Sequence, residues 1–177
     1  MLLGLVSLFF KNCLFLPRNI SYYQGLAGSY NQLMESKDPQ QRQLGIFFCQ
    51  VEYENFYNVL QTCLENRDNI EVFFCLFRYL ILINDTQSLL KLSEFVYHKI
   101  ETYPSEICIG EIGLQVAMLL DHLAYCYSEV KNYQDSKKIY QELLKIYQNL
   151  TGLSETDIKS ALAVTHHQLG NISQDLK

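Results

Sequence analysis

The stretch HLAYCYSEVKNYQDSKKIYQELLKIY, from His122 to Tyr147, decides how the whole chain is read. Its large residues recur at steps of three and four, stop once at Lys131-Asn132, and resume. Such steps return side chains to one face of an α-helix, whereas a half-buried strand alternates. Two helices joined by a short turn are therefore expected, and helices joined this way lie antiparallel. Asn132 is placed to cap the second helix, with Asp135 three residues on.

Outward from this hairpin the same punctuation continues. Asp38 and Pro39 open a helix to about Glu65, with Leu44, Phe47, Phe48, Val51, Phe56, Val59, Leu60, Cys63 and Leu64 roughly on one face. IEVFFCLFRYLILI is apolar almost all round, which predicts a central helix. Asp85 caps a helix from Gln87 to about Thr102, with Pro104 at its end. A long helix then runs to Val130, beginning between Ser105 and Gly113. The helix after Asn132 closes at Thr151-Gly152, and SETD (Ser154 to Asp157) opens a last one. The first 36 residues are expected to hold two more, for about eight helices in all. With 177 residues, 49% of them hydrophobic, and only 3 Pro, the chain has material for a sizeable all-α core.

The hairpin recurs along the chain. Leu120, Leu123, Ala124, Tyr127, Tyr133, Ser136, Tyr140 and Leu143 set a register, and a shift back by 44 meets Leu76, Tyr79, Leu80, Ile83, Leu89, Leu92, Val96 and Lys99. Seven of those eight are apolar, so a two-helix unit of about 44 residues repeats. A shift forward by 46 brings Leu169-Gly170 onto Leu123-Ala124. Residues 117–150 resemble a tetratricopeptide repeat. That family sets a large residue, Leu-Gly or Leu-Ala and then Tyr on its first helix, and alternates aromatic and small residues on its second. Leu143 departs from the family's small residue, and no proline stands near Gln148. The resemblance covers 73–104 less well, with Leu92 at a small-residue position, and restarts near 161–177 without a second helix. It implies a right-handed stack of antiparallel helix pairs, divided here as 1–36, 37–104 and 105–177. One pair cannot bury its own apolar face, so each pair must stack on the next.

QVEYENFYNVLQTCLENRDNIEVFFCLFRYLIL is similar to the helical segment beside the repeats of bacterial signalling ATPases of the NB-ARC class, at Glu52, Glu54, Asn55 and Leu60. HQLGNISQDL is similar to repeat arrays of cyanobacterial proteins of that kind. There is no G-x-x-x-x-G-K-[ST], so the resemblance implies at most a sensor or scaffold part, a fragment or a stand-alone remnant.

Candidate chemistry is sparse. A balance of 14 Lys+Arg against 19 Asp+Glu lacks the basic footprint of nucleic-acid binding. Lys131, Lys137, Lys138 and Lys145 read as solvated lysines opposite a packed face. Cys13, Cys49, Cys63, Cys75, Cys108 and Cys126 form no C-x-x-C pair and read as buried thiols of a reduced cytoplasm, which sets the four N-x-[ST] sequons aside as chance matches. His122 and Cys126 share a helix face and could begin a zinc site or a nucleophile–base pair, but no third group accompanies them. Adjacent His166 and His167 point about 100° apart and cannot ligate one metal together. No cofactor is implied, and no paired general acid and base emerges from Glu52, Glu54, Glu65 and Asp68. MLLGLVSLFFKNCLFLP reads as a buried first helix, a helix cut from a longer protein, or a signal sequence without its basic start; it is short for a membrane span.

The remaining expectation is recognition. The repeat resemblance turns Met118, Asp121, Tyr125 and Ser128 toward a concave groove, with Phe74, Phe77, Arg78 and Ile81 in matching places or packed as core. A groove of this kind suits a protein or peptide partner, not nucleic acid or membrane. The last helix either caps the stack or exposes an apolar stripe of Leu162, Leu169, Ile172 and Leu176 for self-association or docking. The chain is thus expected to be a non-catalytic interaction or scaffold module, with a signalling-ATPase fragment, a cysteine-dependent enzyme, or a closed helical bundle without a groove, in which the 44-residue shift is coincidence, as the rival readings.

Overall fold

The structure is a computed structural model that describes residues 18–103, 110–150 and 154–176, and every regular element among them is an α-helix. The helices are α1 (Arg18–Glu35), α2 (Pro39–Asn66), α3 (Glu71–Leu82), α4 (Thr86–Ile100), α5 (Gly110–Glu129), α6 (Tyr133–Asn149) and α7 (Glu155–Asp175). The second helix expected before residue 36, Pro104, Thr151-Gly152, Cys13 and Cys108 lie outside the described residues.

Local side chains start these helices. Asp38 Oδ1 accepts from the Gln40 N–H at 2.9 Å, and Asp85 Oδ1 accepts from the Ser88 N–H at 3.0 Å. At α6 the cap is reciprocal: Asn132 Oδ1 accepts from the Asp135 N–H at 3.4 Å, while Asn132 Nδ2 donates to Asp135 Oδ2 at 2.7 Å. Ser154 Oγ likewise accepts from the Asp157 N–H at 3.1 Å and donates to Asp157 Oδ2 at 2.6 Å. Each cap satisfies N–H groups that the first helical turn leaves without partners.

The turn inside the deciding stretch is a Schellman closure. The Asn132 N–H donates to Tyr127 O at 2.8 Å and the Lys131 N–H to Ser128 O at 2.9 Å, with Lys131 at φ 60. A lysine in this left-handed position carries a Cβ penalty that glycine lacks. Lys131→Gly is therefore expected to stabilise the protein by about 0.5–1 kcal/mol, read as a higher urea midpoint at unchanged slope.

The helices group into two compact units. The first holds α1, α2 and α3; the second holds residues 67–69 with α4 to α7. The two helices of the 73–104 repeat thus fall in different units, α3 packing on α1 and α2, and α4 on α5.

In the first unit α3 buries Val72, Phe73, Phe74, Cys75, Leu76, Phe77, Tyr79 and Leu80, as its nearly continuous apolar run demands. Arg78 ties it to α1 through Glu35 at 2.6 Å and Asn31 Oδ1 at 2.6 Å. The helices α1 and α2 approach closely at Gly45, where an added Cβ would stand 2.8 Å from Met34 Cγ and 2.9 Å from the Met34 backbone nitrogen.

The structure departs from the single apolar face expected of α2. Gly45, Cys49, Phe56, Val59, Leu60, Cys63 and Leu64 are buried, but Leu44, Phe47, Phe48 and Val51 are exposed at 49%, 54%, 37% and 62%. At 100° per residue those four spread over an arc centred about 130° round from the buried line through Cys49, Phe56 and Cys63. The first half of α2 therefore has two apolar faces, and one of them is open.

In the second unit a core of Ala117, Leu120, Leu123 and Ala124 from α5, Ile139, Tyr140 and Leu143 from α6, and Ile172 from α7 is packed by Leu90, Tyr97, Tyr127, Tyr133, Ile146, Tyr147 and Leu169. Two tyrosine–glutamate bonds clip α4 to its neighbours: Tyr97 Oη donates to Glu142 Oε2 at 3.0 Å, and Tyr127 Oη donates to Glu94 Oε1 at 2.9 Å. Burial first, then these bonds to carboxylates, push both phenols well above their ordinary pKa, so they remain donors at any physiological pH.

Candidate partner-binding face

The face is built by the division of α5 into two sides. Leu120, Leu123, Ala124 and Cys126 are buried. On α6, Ser136, Tyr140 and Leu143 are buried opposite them. Ser136 Oγ donates to the Ala124 carbonyl at 2.7 Å, so two small residues meet where α5 and α6 pack. Tyr127, Tyr133 and Leu169 are half-buried and packed against the same core. Gly170, expected at a close approach like Ala124, is exposed, and a Cβ there would meet nothing within 4 Å.

Met118, Asp121, Tyr125 and Ser128 share an arc of about 80° on the other side of α5. Met118 and Tyr125 are exposed at 39% and 43%, while Asp121 and Ser128 are half-buried. Burial, followed by the nearby Glu129 carboxylate, raises the Tyr125 phenol above its usual range. The matching residues of the weaker repeat differ. Phe74 and Phe77 are core, Arg78 is held by Glu35 and Asn31, and Ile81 is exposed.

Asp121 stands out electrostatically. Burial alone holds its pKa above the ordinary aspartate value, and no hydrogen bond or ion pair engages it among the described residues. Its charge in turn helps raise the phenols of Tyr140 and Tyr147 on α6, after their own burial. A carboxyl whose folded pKa lies above its unfolded one stabilises the fold in acid, and that contribution is lost as pH rises through the folded pKa. Asp121→Asn is thus expected to raise the melting temperature at pH 7 and leave it nearly unchanged near pH 3, by calorimetry at both pH values.

The other sequence candidates are dispersed. Cys126 is buried with Sγ 3.9 Å from Ser93 Oγ, and burial leads in pushing its thiol up to about 11. That is opposite to the depression an attacking thiolate needs. His166 and His167 are exposed. Among the described residues no three His, Cys, Asp or Glu side chains are grouped to hold a metal ion. The described cysteines Cys49, Cys63, Cys75 and Cys126 are buried free thiols. No described helix is long and apolar enough to cross a membrane.

No protein-family profile, curated protein or solved structure matches this chain.

The C-terminal stripe is partly used within the chain. Ile172 is buried in the core, Leu169 packs against it, Leu162 is half-buried, and Leu176 is 40% exposed. Removing 155–177 would therefore strip cover from Leu143 and its neighbours as well as remove a docking stripe. Two features escaped the sequence reading. Ser93, one residue past the expected small position at Leu92, is the small buried residue that meets Cys126. The α2 face at Leu44, Phe47, Phe48 and Val51 lies apart in angle from the buried line, but its exposure is set by what the other helices cover.

Proposed function

We propose that this chain is a non-catalytic protein-interaction or scaffold module of the tetratricopeptide kind, a right-handed stack of antiparallel helix pairs that binds a protein or peptide along α5. The observation that carries the reading is the two-sidedness of α5. Its inner side holds the small-residue contact of Ala124 with Ser136, and its outer side leaves Met118 and Tyr125 39% and 43% exposed. Exposed methionine and aromatic side chains beside a polar anchor suit recognition. The regulatory part of a signalling ATPase is the same role in a particular setting, and the same face would serve it. The cysteine-enzyme reading is weakened by the neutral, buried Cys126 thiol.

The test is affinity purification of the tagged full chain from its native extract, beside a Met118→Ala, Tyr125→Ala double variant checked for unchanged circular dichroism. A protein recovered in near-equal amount with the wild-type chain and lost with the variant is the expected result. A partner that the variant retains removes this face from the proposal, and a partnerless preparation argues against a module of this kind.

A further inference from the structure

The chemistry of the partner can be read from what α5 lacks. Residues 110–129 carry Glu111, Asp121 and Glu129 and no lysine or arginine. The helical neighbours of Asp121 at three and four residues are Ala117, Met118, Ala124 and Tyr125, so no cation can reach it along its own helix. From α6 it is Tyr140 and Tyr147 whose phenols feel its charge, and neither engages it in a hydrogen bond. Asp121 is half-buried on a face where the residue one turn on, Tyr125, presents an exposed ring. A carboxylate partly withdrawn from water with no partner is costly, and a cation brought by a ligand would remove that cost.

We propose, resting on the docking reading above, that this face takes an arginine side chain of the partner segment, its guanidinium paired with the Asp121 carboxylate and lying against the Tyr125 ring, with Met118 against the apolar residue beside it. Arginine fits better than lysine on three counts. Its planar fork matches a carboxylate, it stacks on an aromatic face, and it sheds water more readily than an ammonium. Asp121 and Tyr125 stand about 6 Å apart at their Cβ atoms as helical i and i+4 residues, a span one guanidinium can bridge.

The experiment is a titration of the isotopically labelled full chain, followed by NMR, with three probes: acetyl-Leu-Arg-Leu-amide, its citrulline analogue and its lysine analogue. Citrulline keeps the shape of arginine and removes the charge. The expected result is shifts gathered at residues 118–128, with the arginine peptide about tenfold tighter than the citrulline one and tighter than the lysine one. Asp121→Asn should erase the difference while leaving the fold intact. Equal binding of the arginine and citrulline peptides at this face, or of the arginine and lysine peptides, would overturn the arginine assignment and leave the docking reading standing. Absence of shifts at 118–128 with all three overturns the assignment too, and the purification with the double variant then decides whether the face docks anything.

Discussion

Leu123→Ala is expected to destabilise the protein by about 2–5 kcal/mol, while Tyr125→Ala, two residues along the same helix, should stay within about 0.5 kcal/mol. Leu123 is fully buried among residues from α5, α6 and α7, so truncation removes apolar contact and leaves a cavity that rigid helices refill poorly. Tyr125 is 43% exposed and has little to lose. Urea titrations of the two variants check the contrast directly. It also separates stability from binding, because the partner should be lost with the exposed residue and kept, at temperatures where the protein is folded, with the buried one. Equal destabilisation by both would mean that Tyr125 packs within the chain, and the outer side of α5 would lose its claim to be a free surface.

The second large effect is expected at Gly45. A methyl group there would meet the Met34 side chain at 2.8 Å, and it would also meet the Leu33 Cβ and the Met34 backbone nitrogen at 2.9 Å. A flexible side chain can step aside, but a backbone atom moves only if α1 and α2 separate. Gly45→Ala should therefore cost about 1–3 kcal/mol, against the gain of under about 1 kcal/mol that alanine ordinarily brings inside a helix. A thermal melt gives the sign at once. A stabilised Gly45→Ala protein would show that α1 and α2 do not approach this closely.

Helix starts were legible because their causes are local. Asp38, Asp85, Asn132 and Ser154 each bond an N–H within three residues, so a short window of sequence contains both partners. The same holds for the break at Lys131-Asn132, whose closing bonds run to Ser128 and Tyr127. The core of the second unit was largely legible too. The register of Leu120, Leu123, Ala124, Ser136, Tyr140 and Leu143 names residues that are all buried together. The candidate face was legible as an angle on α5. Its unpaired carboxylate was not, since that depends on what α6 places beside Asp121.

What the sequence by itself determined is the helices among the described residues and, on α5 and α6, which residues share a face, because periodicity and capping are properties of neighbouring residues. What only the tertiary structure decided is which of those faces is covered. Leu44, Phe47 and Val51 are as apolar as the buried line through Cys49 and Phe56, yet they stay largely exposed, while Phe48 beside them stacks on Tyr30. Ile172 and Leu169, which the sequence leaves as either a cap on the stack or an open stripe, turn into the α5–α6 core. Gly45 and Ser93 matter only because Met34 and Cys126 arrive from elsewhere in the chain. Burial is a relation between residues far apart in sequence, and a helix's own pattern states what it could bury, not what comes to cover it.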